Sequence, residues 1–246
     1  VPFNDTTKLF TADMSNKGGG LMATELMDRV RTLIEELSTI YPIQLDVHEH
    51  YKAIFFTEKK KRYAGITEDG TIVVRGLEVR RGDWCALAKE LQSDVINIIL
   101  ERREPGAAAE LVTSTIKRLR AGEIPLAKLI IYKTLTKKIA SYESVQAHVR
   151  AAKRAKEYGL AADVGAKIAY LVMKGTGSIG DRSYPAEIFT QKEGKVVDTN
   201  GQEREIDMEY YVKHQILPPI GRILNYFDYD DSELEGQPVQ STLGHF

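Results

Sequence analysis

Between Met22 and Ile40 apolar residues recur at steps of three and four: Leu26, Val30, Leu33, Ile34 and Leu37. That period predicts an amphipathic helix, ended by Pro42. From Ile43 to Val74 the pattern changes to short strands rich in Ile, Val, Phe and Tyr, with Glu68-Asp69-Gly70 as a hairpin turn between two of them. A second helix is predicted from Asp83, its expected N-cap, with Trp84, Leu87, Leu91, Val95 and Ile99 on one face. Helix, antiparallel strands, helix is an α+β arrangement. Glu104-Pro105-Gly106 marks a boundary, beyond which the character is mostly helical. Helices are expected at 107–121, 144–158 and roughly 206–226, and a short strand at 166–173 precedes the Gly-rich stretch Lys174 to Ser178. Residues 228–239 are acidic, contain Gly236 and Pro238, and predict a mobile tail.

Composition narrows the class. The 246 residues are 43% hydrophobic and 28% charged, enough apolar material for one sizeable core or two small ones and too much for a disordered chain. No apolar run reaches the roughly 18 residues of a membrane span. The lone Cys85 excludes an internal disulfide and a multi-cysteine zinc site, and the five histidines are scattered. With no secretory signal in view, a reducing, cytoplasmic setting is the simplest expectation. The first residue is Val, which is expected of a processed or trimmed chain.

The formal net charge of -1 hides a strong asymmetry. Residues 116–156 hold eleven Lys/Arg against two Glu, a net of +9, while residues 198–236 hold ten Asp/Glu against three Lys/Arg, a net of -7. A solvated face is one reading of such a basic stretch. A surface that neutralises phosphates, gaining affinity through counterion release, is the other.

The sharpest local signal is Lys59-Lys60-Lys61-Arg62-Tyr63-Ala64-Gly65, directly after the apolar strand Ile54-Phe55-Phe56. Several cations and one aromatic at a strand can track a nucleic-acid backbone, the cations meeting phosphates and the Tyr a sugar or backbone oxygen. The same run could equally protect a strand edge. Eleven residues later comes Gly76-Leu77-Glu78-Val79-Arg80-Arg81-Gly82-Asp83-Trp84, opening the second helix.

In this order and spacing the two motifs resemble the KKRY and GLE-VRRD blocks of family B DNA polymerases, archaeal members above all. Here Gly82 separates the Arg pair from Asp83, so the arginines carry over better than the aspartate. The likeness continues through Leu129-Ile130-Ile131-Tyr132, Ala147-His148-Val149, Ala151 to Arg154, Gly180-Asp181-Arg182 and Tyr210 to Pro218. It implies DNA contacts at Lys59, Lys60, Lys61, Arg62, Tyr63, Arg80 and Arg81 in a palm, and at His148, Lys153, Arg154 and Arg182 in a thumb. Phe3 to Phe10 resembles a degraded YGDTDS block, with Asp5 at the first aspartate and Thr7 at the second. Phosphoryl transfer uses two divalent ions held by closely spaced carboxylates, and a neutral Thr is a poor Mg²⁺ ligand. Asp5 and Asp46 are therefore candidate carboxylates that do not complete a metal site; a turn residue and an exposed strand carboxylate are the plainer readings. Gln240-Ser241-Thr242-Leu243-Gly244-His245-Phe246 is similar to a sliding-clamp-binding peptide, in which Leu243 and Phe246 fill an apolar pocket and Gln240 supplies an amide.

The resemblance implies residues 1–105 as the later half of a palm, with 1–21 a degenerate catalytic hairpin and linker. Residues 106–239 would be a thumb and 240–246 a clamp peptide. It further implies the small subunit of a split polymerase, grasping primer–template DNA, docking on a sliding clamp and contacting no membrane. A large subunit would carry the exonuclease, the fingers and the aspartates that hold Mg²⁺. A DNA-binding and clamp-linking scaffold derived from a polymerase is the competing reading, and a piece of an intact polymerase is a third. Cys85 reads as a small packed residue, and residues 175–180 lack the Gly-Lys-Ser/Thr of a phosphate loop.

Overall fold

A computed structural model describes residues 19–41, 51–57, 61–144, 146–192 and 195–236. The chain forms two compact units, divided after Gly76.

The first unit holds helix α1 (Gly19–Ile40) and one antiparallel sheet of β1 (Tyr51–Phe56), β2 (Tyr63–Thr67) and β3 (Ile72–Arg75), in the order β1-β2-β3. The helix expected over 22–40 is present, with Ile34 and Leu37 half-buried and Leu33 exposed. The β2–β3 turn falls on the predicted residues. Gly70 takes φ +87°, a conformation that glycine adopts without a Cβ penalty. Asp69 closes the turn by accepting from the Thr71 amide (3.1 Å), the Thr71 hydroxyl (3.1 Å) and the Thr67 hydroxyl. These bonds, Thr67's foremost, hold its carboxyl below the usual range. Across the sheet, Gly65 lies flat against the Tyr51 ring, where a Cβ would fall 2.5 Å from a ring carbon.

The second unit opens with a 3-10 turn (Glu78–Arg80), then α2 (Ala86–Asn97), which runs on through a π-helical turn to Arg102 and stops at Arg103, φ +59°. Pro105 then starts α3 (Pro105–Arg120), needing no N–H at that position. Residues 104–106 join two helices that pack on each other, with Leu91 and Val95 buried on α2 and Val112 and Ile116 buried on α3. One sheet follows, β4 (Ile131–Thr134), β5 (Lys167–Val172) and β6 (Ser183–Pro185), with α4 (Ala147–Glu157) packed on it through Val149, Ala151, Ala152 and Ala155. A second sheet joins β7 (Phe189–Lys192), β8 (Lys195–Asp198) and β9 (Glu203–Arg204). Helices α5 (Met208–Tyr211), α6 (Leu217–Leu224) and α7 (Asp231–Leu234) end the described chain.

Two sequence expectations change. The helix expected over roughly 206–226 is present as one helical run from Met208 to Phe227, with a π-helical turn (Val212–Ile216) between α5 and α6 shortly before Pro218 and Pro219, which cannot donate to the helical ladder. Asp83 does not cap α2. The N-cap is Cys85, whose amide donates to the Gln215 side-chain oxygen at 2.9 Å, from 130 residues away. The acidic tail is folded as far as Gly236. Asp230 and Glu233 form a reciprocal capping box, and Leu234 is fully buried. Charge and glycine suggested mobility, but one apolar side chain in that segment, worth about 2 kcal/mol when fully buried, reverses the outcome.

The GLE-VRR segment is joined to the C-terminal helices by buried polar bonds. Glu78 is 1% exposed; it pairs with Arg222 of α6 and accepts from Gln92 Nε2 at 3.2 Å. The same Gln92 nitrogen donates to the Pro219 carbonyl at 2.9 Å. Removing Arg222 leaves a buried carboxylate without its guanidinium, an expensive arrangement. Arg222→Ala is therefore expected to destabilise the second unit by about 3 kcal/mol in urea denaturation. Adding Glu78→Gln to that variant should recover some of the loss, because the buried position then carries no charge.

Candidate nucleic-acid interface

Of the residues singled out in the sequence, Asp5, Asp46, Lys59, Lys60, Gln240, Leu243, Phe246 and the Arg80 side chain lie outside the described residues. The remainder of the first motif sits at the β1–β2 connection. The Thr57 amide donates to the Arg62 carbonyl at 3.0 Å, joining the ends of β1 and β2. Lys61 is exposed at φ +64°, and Tyr63 lies opposite Phe56, ring centroids 5.7 Å apart, with Tyr51 edge-on at 6.2 Å. Gly76, the first residue of the second motif, approaches the first motif through backbone. Gly76, φ +66°, lies so close to the lysine turn that a Cβ there would be 2.5 Å from the Lys61 carbonyl oxygen. Only glycine satisfies both the dihedral and the space.

Arg81 and Asp83 form a two-pronged pair, Nε to Oδ1 at 3.0 Å and Nη2 to Oδ2 at 2.7 Å. The pair lowers the carboxyl's pKa and raises the guanidinium's. Lys133 on β4 is near enough to add to the lowering at Asp83.

The basic stretch separates into cations that have partners within the fold and cations that stand without a salt bridge among the described residues. Arg118 pairs with Glu123, Arg120 with Glu209 and Glu235, Lys128 with Glu90, Arg150 with Asp181 and Lys156 with Asp163. Arg154 lies 3.8 Å over the Tyr184 ring and donates to the Ser183 and Asp181 carbonyls, and Arg182 pairs with Asp207. Arg154 and Arg182 therefore tie α4, the Gly-rich loop and α5 together rather than standing open. Lys153 is exposed.

His148, a predicted contact, is 3% exposed and sits under the surface. Its ring is edge-on to Tyr142 at 5.8 Å. The Tyr142 hydroxyl accepts from the Thr136 amide (2.9 Å) and the Lys137 amide (3.3 Å). His148 and Tyr142 thus brace the turn that presents Lys137 and Lys138, beside Lys133 on the edge strand β4. These three exposed lysines have no carboxylate within salt-bridge distance among the described residues, and neither does Lys153. Sequence reasoning counted Lys133, Lys137 and Lys138 in the basic stretch without singling them out. The available signal was their position, on a short strand and in the turn after it, whereas most of the other cations sit on helices opposite acids. Burial, and secondarily Lys133, pushes the His148 imidazole down from 6.5 to about 4.

Residues 15–227 match the family model for DNA polymerase family B. The chain belongs to DNA polymerase family B. It is 45% identical over its whole length to a DNA polymerase of Archaeoglobus fulgidus, of which it covers 31%, and 38% identical to DNA polymerase 2 of Aeropyrum pernix, of which it covers 28%. A solved family B polymerase from Pyrobaculum calidifontis superposes with a TM-score of 0.61 at 33% identity, covering 79% of this chain and 24% of that one. This family B chain thus spans under a third of the relatives it matches. Among its described residues no helix is long and apolar enough to cross a membrane, and no group of three or more His, Cys, Asp or Glu could hold a metal ion.

Two outcomes are expected. Gly76→Ala should destabilise the first unit by about 1–3 kcal/mol and shift the amide resonances of Lys61 and Arg62. His148 is neutral when folded and protonates more readily when unfolded, so the unfolded chain binds more protons between about pH 6.5 and 4. Stability should fall as pH drops through that window, and His148→Gln should flatten the dependence in thermal melts.

Proposed function

We propose that this chain is the small subunit of a split family B DNA polymerase, binding the primer–template duplex while a large subunit supplies the exonuclease, the fingers and the Mg²⁺-holding aspartates. Residues 1–105 then act as the later half of the palm and 106–239 as the thumb. The observation that carries the reading is the match of residues 15–227 to family B, in a chain where Gly76 fits only as glycine against the Lys61 carbonyl at the first polymerase-like motif. Lysines at that turn meet phosphates as point charges, and Tyr63 offers a hydroxyl beside them. Lys133, Lys137, Lys138 and Lys153 add a second set of cations, none in a salt bridge among the described residues, suited to a duplex backbone of regular charge. The contribution to catalysis is positioning: a primer end held still against the partner's reacting groups needs no bond made by this chain.

Gln240, Leu243 and Phe246 would engage the sliding clamp, and a nucleoid-associated, cytoplasmic location follows from these partners. The degraded Asp5–Thr7 pair also supports a second reading, a non-catalytic DNA-binding and clamp-linking scaffold. The two differ in a reconstitution. The purified chain alone is expected to incorporate no nucleotide, and a large subunit ending near its own YGDTDS block should restore primer extension. Extension by this chain alone would sink the split-subunit reading, and no restoration by the large subunit would favour the scaffold.

Combined Lys60→Ala and Lys61→Ala, or Lys137→Ala and Lys138→Ala, should weaken primer–template binding. Each pair should also reduce the slope of log affinity against log salt by about 2. An unchanged slope removes that pair from the interface.

A further inference from the structure

Several arginines of the second unit reach an acid elsewhere in the fold: Arg120 reaches Glu209 and Glu235, Arg150 Asp181, Arg182 Asp207 and Arg222 Glu78. Each of those pairs fastens two parts of the structure. Arg81 differs. Its acid is Asp83, two residues further along the same turn, so the pair fastens no second element. Both side chains are partly open to solvent, Arg81 at 47% and Asp83 at 36% exposure. Asp83 is not spent on the cap of α2, which falls to Cys85. The Nε and Nη2 edge of the guanidinium meets the two carboxylate oxygens, a fork that also fits two phosphate oxygens. An exposed pair of this kind is weak and opens readily. Lys133, exposed on the edge strand β4, lies within electrostatic range of the same carboxylate. Asp83 thus sets a negative charge beside two cations suited to a phosphate backbone.

We propose that Asp83 is an intramolecular competitor of DNA: its carboxylate fills the Arg81 fork in the free protein, and a backbone phosphate has to displace it before Arg81 engages the duplex. The inference rests on the DNA-binding reading above. It makes Asp83 a residue that restrains binding, although it belongs to a motif that resembles a DNA contact. Displacement leaves a carboxylate uncompensated near a polyanion, so the exchange is favourable only where other cations hold the duplex at the same time.

The test is the affinity of the full chain for primer–template, read by fluorescence anisotropy over a series of salt concentrations. Asp83→Asn keeps the size of the side chain and removes the competing charge. Affinity should rise about two- to fivefold, the range that an exposed pair withholds. The slope of log affinity against log salt should steepen by up to about 1, since no carboxylate is left to take up a cation. The gain should need Arg81, and so be smaller when Arg81→Ala is compared with Arg81→Ala/Asp83→Asn. Asp83→Ala should behave as Asp83→Asn, and thermal melts of every variant separate a folding defect from a change in binding. A fall in affinity in both Asp83 variants means that the carboxylate positions Arg81 for DNA, and overturns the competition. An equal gain with and without Arg81, which is plain repulsion of DNA by Asp83, overturns it too, as do an unmoved affinity and slope. If the unaltered chain binds primer–template without salt dependence, or not at all, the DNA-binding reading itself fails; salt-dependent binding that ignores Asp83 sinks the competition alone.

Discussion

The second unit depends on one buried carboxylate. Glu78 is removed from water almost completely, and a bare carboxylate there would carry a large desolvation cost. Arg222 and Gln92 offset it from two different helices. Because Gln92 also holds the Pro219 carbonyl, and Gln215 caps α2 at Cys85, the turn carrying Arg81 can exist in its observed form only with the C-terminal helices in place. Residues 144 positions apart thus belong to one structural unit. A motif that reads as a DNA contact in one dimension is, at Glu78, a keystone in three.

That dual use explains which features could be read in the sequence. Short-range signals worked: the α1 period, the Asp69-Gly70 turn, the β5 strand and the two basic motifs all follow from neighbours a few residues apart. Long-range signals did not. Nothing near Cys85 announces that Gln215 will satisfy its amide, so Asp83 looked like the natural cap. Nothing near residue 228 announces that Arg120 will attract the acids and that a pocket awaits Leu234. The two small sheets of the second unit were underestimated because their strands run two to six residues, too short for alternation to stand out from a helical period.

The same logic sorts the cations. On helix α4, Arg150 and Arg154 reach the loop at 181–183 and are consumed by packing, while Lys153 faces out. Tyr184 receives Arg154 on its ring and Arg204 as well, which fastens the two small sheets together across one aromatic. Arginine suits that internal role, being planar and weakly hydrated; the lysines left over are strongly hydrated and remain at the surface. Position opposite an acid, as at Lys128 and Lys156, together with residue type therefore separates structure from candidate contact better than net charge does.

Cys85 has a practical consequence. It is the one cysteine of the chain, fully buried at the head of α2, and burial pushes its thiol up to about 11. A thiol that is both shielded and protonated reacts slowly with maleimides and iodoacetamides. The unaltered chain is thus a silent background for spectroscopy: a cysteine placed at an exposed lysine accepts a single fluorophore or spin label, and distances can be read without first removing a residue the fold needs.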